Sequence, residues 1–108
     1  MAQEKNFEQK IKRFLDDEGV WWVKFFANSY TRSGVPDLLC CVKGYFVAVE
    51  VKAPKGKPTA LQLHNCTEIR VAWGFAFILY PSGFETFKQF IYGLNCDRFT
   101  SDMPLILK

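Results

Sequence analysis

The sequence is poor in the residues that mark several common functional classes. It contains one histidine, His64, and four cysteines at positions 40, 41, 66 and 96, with no Cys-x-x-Cys pair. A zinc site of familiar spacing is therefore excluded. Cys40 and Cys41 are neighbours within an apolar run and point to opposite faces of any strand, which suits packing rather than bridging. The four are read as reduced core thiols of a cytoplasmic protein, the host's cytoplasm if the chain is virally encoded. No apolar run approaches the roughly 20 residues that a membrane-spanning helix needs, and the charged first ten residues do not resemble a signal peptide. Repeats, linkers and low-complexity segments are absent, so the 108 residues are expected to form a single domain.

Apolar residues are plentiful. They make up 49% of the chain, and eleven phenylalanines bring the aromatic share to 17%, enough for a substantial core. The net charge of +3 is compatible with a nucleic-acid partner without requiring one.

Two apolar runs, 38–42 and 45–51, flank Lys43-Gly44, a hairpin signal. A two-residue turn there places Val42 opposite Tyr45, Leu39 opposite Ala48 and Asp37 opposite Glu50. Lys52 falls on the same face as Glu50, because side chains two apart on a strand share a face. Opposed Cβ atoms are about 5 Å apart. Two carboxylates at that distance repel by about 3 kcal/mol at an effective dielectric near 20, and so call for a cation. The turn requires a positive φ at Lys43, which is unfavourable for a non-glycine residue. Positions 46–51 are otherwise apolar, so the strand is expected to be buried on both faces, where a carboxylate and an amine need partners.

Phe7, Ile11, Phe14 and Leu15 mark an amphipathic helix over about 3–18, stopped by Gly19. Glu8 lies at the edge of its buried stripe, and Glu4 one turn earlier competes with it. Residues 20–27 read as a strand, 28–34 as a polar loop and 53–58 as a loop carrying Lys55 and Lys57. Thr59 caps a helix over 60–73, whose inward face carries Gln62, Cys66, Ile69 and Trp73. Residues 75–80 form a buried strand reached by a helical crossover, parallel to one hairpin strand. Ser82 and Glu85 have capping-box spacing for a last helix bearing Phe84, Phe87, Phe90, Ile91 and Leu94. The tail 95–108 has three readings: an added strand, a packing arm or a dimer contact. The expected architecture is α/β, a mixed sheet flanked by helices in the order α-β-β-β-α-β-α.

This order, with Pro36-Asp37 entering the second strand and Glu50-Val51-Lys52 on the third, resembles the PD-(D/E)xK nuclease superfamily. Glu8, Gly34-Val35-Pro36-Asp37 and the run Gly56-Lys57-Pro58-Thr59-Ala60-Leu61-Gln62 are similar to its VRR-NUC branch, the virus-type replication and repair nucleases. Ala60 and Trp73 depart from that pattern. The resemblance implies a restriction-endonuclease-like fold and hydrolysis of DNA phosphodiesters, with branched DNA such as a four-way (Holliday) junction as substrate. It implies Mg²⁺, replaceable by Mn²⁺, held by Asp37, Glu50 and the backbone carbonyl of Val51. Lys52 would act on the attacking water or the phosphate, Glu8 would add a carboxylate and Gln62 a positioning amide. Arg32, Lys55 and Lys57 would contact phosphates or simply solvate their loops, and Tyr30 would stack on a base or cover the core. A resolvase cuts two symmetric strands, which leads to a C2 homodimer. The competing expectations are a nucleic-acid-binding module that keeps the fold without the chemistry, and a flap or restriction-type nuclease.

Overall fold

The computed structural model describes residues 2–98 and 102–108; residues 99–101 of the tail lie outside the described residues. The chain runs α1 (Ala2–Asp17), β1 (Trp21–Lys24), β2 (Leu38–Val42), β3 (Tyr45–Val51), α2 (Ala60–Val71), β4 (Phe75–Leu79), a 3₁₀ turn (Pro81–Gly83), α3 (Phe84–Asn95) and β5 (Ile106–Leu107). Among the described residues the strands form one sheet in the order β1-β2-β3-β4-β5. β1, β2 and β3 are antiparallel neighbours, and β4 and β5 join them in parallel. This is the mixed sheet flanked by helices expected from the sequence, with one strand more: part of the tail is an added edge strand.

The hairpin register follows from its turn. Val42 pairs with Tyr45, Leu39 with Ala48 and Leu38 with Val49. Carried one residue further, it sets Asp37 against Glu50. Lys43 takes φ 51° and Gly44 φ 86°, so the lysine does occupy the left-handed region. Alternation on β3 then divides the core. Val47, Val49 and Val51 pack with Phe7, Ile11, Leu15, Phe87 and Ile91 under α1 and α3. Ala48 packs with Cys66, Ala76 and Ile78 under α2. Glu50 and Lys52 share the α2 face, buried to 4% and 9% exposure. Phe46 departs from the expected burial: it is 43% exposed, near the turn end of β3, because α2 packs chiefly on β4.

Three helix ends differ in instructive ways. α1 closes with Gly19 at φ 70°, its N–H bonded to Asp16 and that of Val20 to Leu15, a Schellman motif with the residue that favours it. α2 closes with the same pair of bonds, Trp73 N–H to Arg70 and Gly74 N–H to Ile69, but here Trp73 takes the left-handed position at φ 70°. The helix therefore ends two residues early, and Trp73 is 92% exposed instead of facing inward. α3 has no side-chain cap. Pro81 starts a 3₁₀ turn that absorbs Ser82, Gly83 precedes the helix, and Glu85 pairs with Lys88 instead. Two of the cysteines also differ from a core reading, for Cys41 and Cys96 are exposed while Cys40 and Cys66 are buried.

The tail is held from a distance. Arg70 donates to the carbonyls of Ala76, Met103 and Pro104 at 2.8–2.9 Å. β5 then lies against β4 and passes so close to Gly83 that a Cβ there would sit 2.2 Å from the Leu107 carbonyl oxygen.

Candidate active site

The site forms where β1 and β3 end and β2 begins, away from the Lys43-Gly44 turn. Asp37 enters it from a loop folded down onto α2. Asn65, buried on that helix, donates to the Ser33 carbonyl at 3.0 Å. Gly34 sits beside it at φ 78°, where a Cβ would come within 2.7 Å of Leu61 and 2.8 Å of Asn65. Only glycine meets both demands. Pro36 is buried behind it, and the Asp37 carbonyl accepts from the Phe25 N–H at 2.8 Å, extending the β1 pairing. The Asp37 carboxylate is thereby fixed, with Oδ2 accepting from the Val51 N–H at 2.8 Å. In an extended strand the N–H and C=O of one residue leave on the same side, so the Val51 carbonyl also projects toward Asp37.

Glu50 reaches the same place from β3. Its Oε2 accepts from Gln62 Nε2 at 3.0 Å and lies 3.4 Å from Lys52 Nζ. Lys52 in turn donates to Gln62 Oε1 at 3.0 Å. The Gln62 amide comes from the capping box of α2: its Oε1 accepts from the Thr59 N–H, and the Thr59 hydroxyl accepts from the Gln62 N–H. Burial first, and the Asp37 charge second, push the Glu50 carboxyl up to about 8, with Lys52 only partly opposing them. That balance decides a chemical question. The lysine beside Glu50 does not offset its burial next to Asp37, so in the metal-free protein this carboxyl keeps its proton more readily than an exposed glutamate.

On the α1 side, Lys24 donates to Glu8 Oε1 at 2.8 Å and to Asp37 Oδ1 at 3.4 Å, while Lys12 pairs with Glu8 Oε2 at 3.0 Å. Burial works to lower the Lys24 pKa, but the bond to Glu8 and the charges of Asp37 and Glu8 outweigh it and hold the ammonium above its usual range. Glu8 is affected in the opposite sense: burial would raise its pKa, and the two lysines bring it below the ordinary value. Of the two candidate glutamates, Glu8 is the one that joins the network, and it reaches Asp37 through Lys24. The sequence reading missed Lys24. In the sequence it stands inside the run 20–27 expected to be one strand, whereas β1 ends at Lys24 and residues 25–27 belong to the following loop.

Among the described residues no three His, Cys, Asp or Glu side chains converge on one point. The donors available to a divalent cation are the Asp37 and Glu50 carboxylates and the Val51 carbonyl. All are oxygens, a set that fits Mg²⁺ or Mn²⁺ rather than zinc. Lys55 and Lys57 are exposed on the neighbouring loop, which Tyr80 ties down through its hydroxyl to the Gly56 carbonyl at 2.7 Å. Arg32 and Tyr30 are exposed on the loop before Gly34, Tyr30 at 97%, so it does not cover the core. His64 is exposed and outside the site. No helix among the described residues is long and apolar enough to cross a membrane.

Residues 2–76 match the family model of the archaeal Holliday junction resolvase (Hjc), a stretch that includes Glu8, Lys24, Asp37, Glu50, Lys52 and Gln62. No curated protein and no solved structure matches the chain. The matched family is of the PD-(D/E)xK type and has the restriction-endonuclease-like fold, in agreement with Pro36-Asp37, Glu50-Val51-Lys52 and the sheet described above. The match spans well over half of the sequence and contains every side chain of the converging network, so the chain belongs to the archaeal Holliday junction resolvase family, nucleases that act on DNA.

Proposed function

We propose that the protein is a metal-dependent endonuclease that hydrolyses phosphodiesters in branched DNA, four-way junctions foremost, with Asp37, Glu50, Lys52, Gln62 and Glu8 as its working residues. The observation that carries the reading is the convergence of Asp37 on a buried Glu50 whose proton affinity Lys52 fails to bring down. Mg²⁺, with Mn²⁺ able to replace it, would be held by Asp37, Glu50 and the Val51 carbonyl and would supply charge neutralisation and an activated water. Lys52, buried against Glu50, presents an ammonium to the attacking water or the phosphate. Gln62 holds that ammonium and the Glu50 carboxylate in one geometry. Glu8 positions Lys24, and Lys24 positions Asp37. Arg32, Lys55 and Lys57 surround the site as phosphate contacts. Within the superfamily, the run Gly56 to Gln62 supports a kinship with the VRR-NUC branch.

The test compares four-way junction, flap, linear duplex and single-stranded DNA, with Mg²⁺, with Mn²⁺ and with chelator. Symmetric cuts in the junction alone, absent in chelator, are expected. Cleavage that persists in chelator would rule out the metal site. A second reading has its own support: Lys12 and Lys24 already pair with Glu8 and Asp37, and Lys52 lies against Glu50, contacts that suit a binding module without chemistry. Junction binding with no cleavage under any metal would establish it.

Paired cuts require paired sites, and a homodimer is part of the same proposal. Trp21, Cys41 and Phe46 are cross-strand neighbours on the uncovered part of the α2 face. Phe46 and Trp73 line one cleft of about 420 Å³. The three rings are 64%, 43% and 92% exposed, which amounts to roughly 450 Å² of aromatic surface, about what the largest patch on a monomer reaches. Trp73 also carries the strain of its left-handed backbone. Trp73→Gly is therefore expected to raise the stability of the monomer by about 1 kcal/mol while weakening self-association at least about tenfold. Urea unfolding and sedimentation equilibrium read the two effects separately; a variant that dimerises as tightly as the wild type would move the interface elsewhere.

A further inference from the structure

Beyond Lys24 the chain makes an excursion over residues 25–34 before returning at Asp37. Its base is rigid. The Phe25 N–H bonds to Asp37 at one end, and at the other Asn65 holds Ser33 while Gly34 packs against Leu61. Its tip is a turn closed by side chains: the Tyr30 N–H donates to Asn28 Oδ1 at 2.7 Å and the Asn28 N–H to Thr31 Oγ1 at 2.8 Å. This loop carries two rings that bury little: Phe26 is 74% exposed and Tyr30 97%. Closing the loop requires neither ring, and each leaves apolar surface in water.

The position of the rings suggests an occupant. The Phe26 ring lies 6.0 Å from Lys24 Nζ, the same ammonium that bridges Glu8 and Asp37. Tyr30 is four residues on, so its Cα is within about 14 Å of that of Phe26. Arg32 is exposed further along the same loop. An aromatic pair with a cation, continuous with a phosphodiester-cleaving site, matches the way proteins hold unstacked nucleotides: rings take the base faces and cations the phosphates. A continuous duplex offers no free base face. A branch point does, because bases at the crossover lose a stacking neighbour.

We propose that Phe26 and Tyr30 form an aromatic lip that stacks on bases freed at a DNA branch point, and so sets the preference for branched over continuous DNA. The proposal rests on the nuclease reading of the adjoining site. It is tested by binding in chelator, where nothing is cut. Dissociation constants are measured for a labelled four-way junction and for a linear duplex of equal length, with the wild type, Phe26→Ala, Tyr30→Ala and Tyr30→Trp. Each alanine is expected to weaken junction binding about tenfold and to change duplex binding less than about twofold, while Tyr30→Trp keeps the wild-type preference. Equal losses on both DNAs, no loss on the junction, or a wild type that binds both alike would overturn it. Because the readout needs no metal, failure of the nuclease reading shows separately, as a protein that still prefers branched DNA and leaves it uncut when Mg²⁺ is restored.

Discussion

Glu50→Gln is expected to abolish junction cleavage and also to flatten the pH dependence of metal-free stability. The first effect follows from losing one of two carboxylates that would anchor the cation. That stabilisation is several kcal/mol, so a loss of at least about 1,000-fold in single-turnover rate is expected. The second follows from the position of Glu50 in the fold. Its carboxyl is pushed up to about 8 by burial first and Asp37 second, from an ordinary value of 4.5. Between those two values the folded protein holds a proton that the unfolded chain has released. Stability then falls as pH rises through the window. The contribution is most favourable below 4.5 and is lost above 8. Glutamine keeps the shape and removes the titration. Urea midpoints at several pH values between 5 and 8.5 check this, and a variant retaining the wild-type slope would place the titrating group elsewhere. Activity and stability of the metal-free chain thus make opposite demands on one side chain.

Lys52→Met is expected to lower the rate of the chemical step by about 100- to 1,000-fold while leaving junction affinity within about threefold. Methionine approximates the length of the lysine stem, so the pocket against Gln62 and Glu50 stays filled. What is lost is the ammonium 3.4 Å from Glu50 Oε2 and 3.0 Å from Gln62 Oε1. Arginine should not rescue it, since a planar guanidinium is not interchangeable with a compact ammonium in a site buried to 9% exposure. Single-turnover cleavage at saturating protein separates the two quantities. An equal loss in affinity and rate would make Lys52 a phosphate tether rather than a participant in the chemistry.

The part of this site that could be read from the sequence is the part set by local geometry. A two-residue turn at Lys43-Gly44 fixes one register, and that register brings Asp37, Glu50 and Lys52 together without further information. The cap at Thr59 and the inward direction of Gln62 are local as well, since both depend on helical spacing. Lys24 was illegible because its partners depend on how β1 pairs with β2 across a long loop, a choice that no short window contains. Arg70 was missed for the same reason: its acceptors at Met103 and Pro104 lie more than thirty residues away. Trp73 misled by type. A residue after a helical run and before a glycine is expected to complete the apolar stripe, whereas here the tryptophan itself takes the left-handed position and turns outward. At Pro81 a strong local signal, a proline three residues before the helix, overrode the weaker capping-box spacing of Ser82 and Glu85.

The amide of Gln62 has a consequence for when the nuclease is armed. One side chain closes the first turn of α2 and also aligns Glu50 with Lys52. Fraying of that turn, among the cheapest local openings a helix has, therefore releases the carboxylate and the ammonium together. Under the nuclease reading proposed above, a chain whose helix end is loose would lose the cleavage centre with it.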